Sequence, residues 1–224
     1  MTKIIAIIPA YNEEIALGSI ILRTKQYVDR VLVIDDGSND KTKEIAKLAG
    51  AELIIHEKNQ GKGIALKTGF EAIENEDIII TIDGDGQHNP DEIPILIKAI
   101  IDEKADFVNG SRYIEGNDDE TPGYRRVGQK VLDKATNLST GLEITDSQSG
   151  FRAFSKIAIP HFKFKDAGFA IESEMLSDAS KADLKIIEVP ITVRYDVDSS
   201  TKNPISHGVG VLIQIIKNLL FHRK

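Results

Sequence analysis

Ile78-Ile79-Ile80-Thr81-Ile82-Asp83-Gly84-Asp85-Gly86-Gln87 decides how this chain is read. The β-branched run Ile78 to Ile82 has the character of a buried strand, and the glycines after it let the backbone turn sharply. Two carboxylates, Asp83 and Asp85, therefore stand at the C-terminal edge of that strand. They are two residues apart around a flexible glycine, so they can reach one hard divalent cation together. The Gln87 amide oxygen is a further neutral ligand. An ion in that position points to a phosphate-bearing substrate.

Outward from this strand, the first half of the chain alternates short apolar runs with amphipathic stretches, the pattern of βαβ units around a parallel sheet. Strands are predicted at Ile4–Pro9, Val31–Asp35, Glu52–His56, Ile78–Asp83 and Asp106–Asn109. Helices are predicted over about Glu13–Tyr27, Asp40–Leu48, Lys62–Ile73 and Asp91–Asp102. Asn12 and Ser38 or Asn39 are candidate N-caps, Gly50 a helix stop and Pro90 a helix start. In such sheets ligands collect beyond the C-terminal strand ends. Pro9 to Glu13, Asp35 to Ser38, Asn59 to Gly63 and Asp83 to Asp85 all fall there. The second half is less regular. A charged loop at 115–123 precedes a helix over Tyr124–Leu138; a helix at Glu172–Lys181, a strand at Lys185–Val193, a polar segment at Asp196–Ser206 and a helix over Val209–Phe221 follow.

The totals limit the alternatives. A chain of 224 residues fits one large α/β domain. With 41% hydrophobic and 28% charged residues it has an ordinary globular composition, and its net charge of −7 argues against a general nucleic-acid binder. The absence of cysteine rules out disulfides, thiolate metal sites and a cysteine nucleophile. The apolar run Ile4 to Ile8 is too short for a signal sequence, which predicts a cytoplasmic protein. No apolar run approaches the roughly 20 residues that span a bilayer, so membrane contact is expected to be peripheral.

Competing readings of the motifs fail on spacing. An EF-hand counted from Asp83 needs Gly and Glu where His88 and Pro94 stand. A haloacid-dehalogenase-type phosphatase places its acidic pair after the first strand, whereas this is about the fourth. Gly61-Lys62-Gly63 opens a helix with amides and a lysine that suit phosphate. It is neither a Walker loop nor a dinucleotide fingerprint, because Leu66 occupies the third glycine position. Tyr11 is placed to stack on a base and Glu13 to accept from ring N–H groups. Of Asp35 and Asp36, one carboxylate is expected to hold backbone amides and the other to serve a ribose or base. Arg112, Arg125, Arg126, Arg152, Arg194 and Lys202 put cations into the second half, where a subset can grip phosphate. Glu172, Glu174 and Asp178 lie at helical spacing, either as a solvated face or with one member as a general base.

Together these segments resemble family 2 glycosyltransferases with the GT-A fold, and within them the polyprenyl-phosphate (dolichyl-phosphate) mannose or glucose synthases. The resemblance is carried by Ile8 to Glu14, Val33 to Ser38, Asn59 to Gly63 and Asp83 to His88. It continues through Gly110 to Tyr113, Asp146 to Arg152, Glu188 to Ile191 and Ser200 to Lys202. It implies a Rossmann-like α/β/α architecture with a mostly parallel central sheet, a nucleotide-binding half at about 1–110 and an acceptor-binding half at about 111–224. By it, Pro9, Ala10, Tyr11, Glu13 and Asp36 hold the nucleotide, and Asp83, Asp85 and Gln87 hold Mg²⁺ or Mn²⁺ on the diphosphate. Arg194 and Lys202 belong to a loop over that diphosphate, and Arg112 and Arg126 grip the acceptor phosphate.

A lipid monophosphate is mostly a dianion at neutral pH and needs no protein base, so the expected reaction is an inverting transfer of a hexose from GDP-mannose or UDP-glucose to a polyprenyl phosphate. A hydroxyl acceptor requires a base instead, with Glu174 or Glu172 as candidates. A nucleotidyltransferase and a sugar-nucleotide sensor are the remaining alternatives. Synthases of this group often carry C-terminal transmembrane helices, and this sequence shows none. Its last predicted helix puts Leu212, Ile215, Ile216, Leu219 and Leu220 on one face before His222-Arg223-Lys224, a tail suited to an anionic membrane or to docking on the core.

Overall fold

The computed structural model describes residues 2–114, 123–168, 170–194 and 213. Lys202, the polar segment Asp196–Ser206 and most of the loop expected at 115–123 lie outside the described residues, as do the side chain of Arg125 and, apart from Ile213, the helix expected over Val209–Phe221.

Seven strands form one sheet in the order β3-β2-β1-β4-β6-β5-β7. They are β1 (Ile4–Ala10), β2 (Arg30–Asp35), β3 (Glu52–Ile55), β4 (Ile78–Thr81), β5 (Phe107–Ser111), β6 (Arg152–Ser155) and β7 (Ile186–Pro190). The helices are α1 (Leu17–Thr24), α2 (Thr42–Leu48), α3 (Lys62–Glu71), α4 (Ile93–Asp102), α5 (Gly123–Thr140) and α6 (Ile171–Lys181). The mostly parallel α/β sheet expected from the sequence is present.

The apolar runs make strands because both sheet faces are covered. In β1, Ile5 and Ile7 pack with α3 and α6 on one face, while Ala6 and Ile8 pack with α1, α2 and α4 on the other. Strands buried on both sides read as continuous apolar sequence rather than as an alternation. On the α3 and α6 face, Phe70, Phe107, Phe154 and Phe162 form an edge-to-face group; Phe154 and Phe162 have centroids 5.2 Å apart.

Three expectations are corrected. Residues 152–155, not predicted as a strand, form β6, which runs antiparallel between β4 and β5. Thr81 and Asn109 therefore both face Arg152 across the sheet. Asn12 does not cap α1, which begins at Leu17 with no side-chain cap. Its φ of +57° turns the chain into the left-handed region. There its amide donates to Ser38 Oγ and its side-chain oxygen accepts from the Asn39 amide, so both groups are used across the β1 and β2 exits. Neither Ser38 nor Asn39 caps α2, whose N-cap is Lys41. Gly50 does end α2, with φ +73°. Pro90 opens a 3₁₀ turn ahead of α4, capped by Asn89.

Candidate active site

The chain order reverses between β1 and β4, where a parallel sheet opens a crevice at its C-terminal edge. Tyr11 to Glu14 leave β1 and are clasped to the β2 exit: the Glu13 amide donates to Thr42 Oγ1 at 2.8 Å, and the Glu14 amide to Asp40. Pro9 and Ala10 end β1, and the Ala10 carbonyl accepts from the Asp36 amide.

At the β2 exit the two aspartates take different roles. Asp36 is buried and fully engaged, accepting from His56 Nδ1 at 2.7 Å and from the amides of Gln60 and Gly61 at 3.0 and 2.8 Å. Asp35 accepts from the Ser38 amide through Oδ1, while its buried Oδ2 has no hydrogen-bond partner among the described residues. The Asp36 carboxylate expected to face a nucleotide is thus occupied in holding the loop that leads to α3.

Two amides at the start of α3 are likewise committed. Gly61 donates to Asp36, and Gly63 donates to the Ala167 carbonyl at 3.0 Å. A Cβ on Gly63 would lie 1.9 Å from the Asp166 carbonyl oxygen, so the glycine lets segment 163–168 approach closely. That segment is hung from α6. Asp178 accepts from the Lys163 amide, and Glu174 accepts from the Lys165 and Asp166 amides at 2.8 and 2.7 Å. The Gly61 and Gly63 amides, expected to suit phosphate, are taken up by protein, and of the two readings of Glu172, Glu174 and Asp178 the solvated face falls, because all three are buried. Glu174, a candidate base in the sequence, has both oxygens turned to backbone amides.

Lys62 itself points into the crevice. Its Nζ lies 2.6 Å from Asp83 Oδ1 and 2.7 Å from Glu172 Oε1. Burial opposes the charge on Lys62, but Asp83 and Glu172 outweigh it and raise its pKa. Burial also pushes Asp83 up, and Lys62 followed by His88 brings it below the ordinary carboxylate value. Asp85 behaves in the opposite way. Burial, then the charge of Asp83, push it up to about 6, although its Oδ1 accepts from the Gln87 amide at 3.0 Å. Asp83 also needs Gly150 beside it, because a Cβ there would stand 2.3 Å from Oδ2.

The donor set fits a hard divalent cation. Asp83 and Asp85 offer carboxylate oxygens at one strand end; burial and the charge of Asp83 raise Asp85, an excess of negative charge that a cation would offset, although no group of three or more His, Cys, Asp or Glu side chains gathers around one point among the described residues.

The opposite wall carries cations. Arg112, just past β5, meets Asp146 at two points, Nε to Oδ2 at 2.6 Å and Nη2 to Oδ1 at 2.7 Å. Asp146 is fully buried, which raises its pKa, but Arg112 overcomes this and holds it low. The charge of Arg112 also reaches Asp83 and Asp85. Arg126 on α5 lies over the Tyr113 ring, 3.6 Å from its centroid, with Asp133 at 3.9 Å. The Arg194 amide donates to the Gln87 carbonyl at 2.9 Å, and Val193 bridges His88, so the β7 exit is strapped to the Asp83 to His88 turn. Arg152 is a structural pin: its guanidinium donates to Asn109 Oδ1 and to the carbonyls of Glu172 and Ser147.

Sequence reasoning gave no role to Asp146, to Tyr113 or to the Lys62–Glu172 contact. Asp146 and Arg112 are 34 residues apart, with nothing local to pair them.

The model of glycosyl transferase family 2 matches residues 5–162. The UDP-N-acetylglucosamine–dolichyl-phosphate N-acetylglucosaminyltransferase of Methanococcus voltae is 36% identical over 92% of this chain and 90% of its own length. The dolichol-phosphate mannosyltransferase of Pyrococcus furiosus is 31% identical over 85% of this chain and 56% of its own. Among solved structures, glucosyl-3-phosphoglycerate synthase of Mycobacterium tuberculosis, in complex with Mn²⁺, UDP and glucosyl-3-phosphoglycerate, superposes with a TM-score of 0.73. It is 26% identical and covers 98% of this chain and 79% of its own. The fold is that of GT-A glycosyltransferases, and the chain belongs to glycosyl transferase family 2.

Proposed function

We propose that this glycosyltransferase moves a hexose from a nucleotide diphosphosugar to a polyprenyl phosphate, with inversion at the sugar. The names of the Methanococcus and Pyrococcus relatives support a dolichyl-phosphate acceptor. The observation that carries the reading is the engagement of the two candidate bases, Glu174 by amides at both oxygens and Glu172 by Lys62 at Oε1, together with the gathering of Arg112 and Arg126 at the Tyr113 ring. An acceptor that arrives as a phosphate dianion needs cations there and no base.

In this reading Tyr11 and Glu13 take the base of the donor, and Asp35 Oδ2, rather than Asp36, is the β2 carboxylate left for the nucleotide. Asp83 and Asp85, with Gln87, hold Mg²⁺ or Mn²⁺. When bound, the cation neutralises the charge that develops on the leaving diphosphate. Lys62 shares Asp83 with it and adds positive charge to the same wall. Arg194 and Lys202 belong to the segment over the diphosphate. The nucleotide half at about 1–110 and the acceptor half at about 111–224 act as one domain at the cytosolic face of a membrane. The proposed contact is peripheral; no helix among the described residues is long and apolar enough to cross a membrane.

The test is incubation with radiolabelled GDP-mannose, UDP-glucose and UDP-N-acetylglucosamine, a polyprenyl phosphate and Mg²⁺ or Mn²⁺, followed by organic extraction. Label is expected in the lipid phase with one donor, and Asp85→Ala is expected to abolish it. Label transferred only to a sugar hydroxyl would replace this acceptor with a glycan.

A further inference from the structure

Arg112 and Arg126 come from different elements and carry like charge, yet both lie against one aromatic ring. The Arg126 Cζ is 3.6 Å from the Tyr113 centroid and the Arg112 Cζ is 5.3 Å from it. We propose that Tyr113 is a positioning residue that sets these two guanidinium groups in one arrangement for the acceptor's phosphate; the inference rests on the phosphate-acceptor reading above.

The backbone that carries the ring is held from below. The Tyr113 amide donates to Ser111 Oγ at 3.1 Å, and Ser111 Oγ meets Thr145 Oγ1 at 2.6 Å. Arg112 is fixed by its two-point contact with Asp146, which also accepts from Gln129 at 3.2 Å. Arg126 has no such fork in Asp133, whose nearest oxygen is 3.9 Å away. Its guanidinium carbon is closer to the ring, 3.6 Å from the centroid. A guanidinium that spends its face on an aromatic ring keeps its N–H groups in its own plane, at the edge, where phosphate oxygens bind in pairs. The negative face of the ring also offsets the repulsion between two cations. Tyr113 would act through the arginines and touch neither sugar nor diphosphate.

The experiment compares Tyr113→Leu, Tyr113→Phe and Arg126→Lys in the full chain. Two readouts are used: steady-state transfer, with donor and acceptor KM measured separately, and direct binding of geranyl phosphate, a short soluble polyprenyl phosphate. Tyr113→Leu is expected to raise acceptor KM about tenfold and to weaken geranyl phosphate equally, with donor KM and kcat little changed. Tyr113→Phe keeps the ring and is expected to match wild type. Arg126→Lys keeps the charge without the flat face and is expected to behave like Tyr113→Leu. An unchanged acceptor KM in Tyr113→Leu, a loss in Tyr113→Phe equal to that in Leu, or parallel rises in donor and acceptor KM would each overturn the inference. If Tyr113→Leu fails to fold, judged by loss of UDP and GDP binding, the Phe and Lys variants decide. Wild-type protein that binds geranyl phosphate but transfers no sugar to polyprenyl phosphate would remove the acceptor reading, while the binding series still decides Tyr113. Wild-type protein that binds no geranyl phosphate would sink both.

Discussion

At the scale of single residues, burial and the partners that come with it set the charge of a carboxylate and what it holds. Asp133 on α5 accepts from the Ser147 amide and hydroxyl, both at 2.8 Å. Burial, with the nearby charge of Asp146, still pushes it up from 3.8 to about 6. Between those values the folded protein keeps a proton that the unfolded chain has released. The contribution of Asp133 to stability is therefore intact below the lower value and is lost as pH rises to the upper one. At about 1.4 kcal/mol per pK unit, the loss is about 2 to 3 kcal/mol. Asp133→Asn keeps an acceptor for Ser147 and removes the titration. Urea unfolding at pH 4 and pH 7 is expected to show the variant gaining on wild type by about 2 kcal/mol between the two; an equal gap at both would refute it. The same scale shows where sequence reading stops. Asp35 and Asp36 are indistinguishable as neighbours in a sequence. Their roles separate only because Asp36 meets His56 and the Gln60 and Gly61 amides, contributed from 20 or more residues away.

At the scale of elements, the strands covered on both faces were legible and β6 was not. Its four residues begin with Arg152, a charge that breaks an apolar run. That charge is tolerated because its guanidinium finds Asn109, Glu172 and Ser147 on three separate segments. Helix α1 was read too long for a related reason, since Asn12 bonds across to the β2 exit rather than along its own helix. The joint between α3 and α6 was invisible as well. Gly61-Lys62-Gly63 has the composition of an anion loop, yet its glycines make room for segment 163–168, and only the lysine reaches the site. Gly63→Ala tests this. The added methyl collides with the Asp166 carbonyl, so the segment must shift and its bonds to Glu174 must lengthen. A cost of about 2 kcal/mol is expected, as for other overpacked sites. Amide exchange at Lys165 and Asp166 is expected to lose protection before the rest of the fold. Unchanged exchange there would show that the segment is not held in this way.

At the scale of the whole molecule, the sequence placed the motifs on one sheet edge correctly, because parallel βαβ units leave little choice. The pairing of the far half was less accessible, since β6 separates β4 from β5 and a crossover pattern alone does not reveal an inserted antiparallel strand. The resulting architecture draws the site from both halves: Asp83 and Asp85 follow β4, Lys62 opens α3, Glu172 opens α6 and Arg112 follows β5. A ligand bridging these elements must stabilise the fold as a whole. At a hundredfold excess over Kd, a nucleoside diphosphate with Mn²⁺ contributes about 2.7 kcal/mol. For a chain of this size each kcal/mol moves Tm by about 2–4 °C, so a rise of about 5–10 °C is expected. If Asp83 and Asp85 hold the cation as proposed, the rise should exceed the sum of those produced by nucleotide and Mn²⁺ separately, because a diphosphate would add oxygen ligands to it. Asp85→Ala relieves the repulsion with Asp83, so its unliganded Tm is expected to be at least that of wild type while the joint increment disappears. A variant that keeps the full joint increment would remove Asp85 from the cation site and leave it a buried carboxylate without a chemical role.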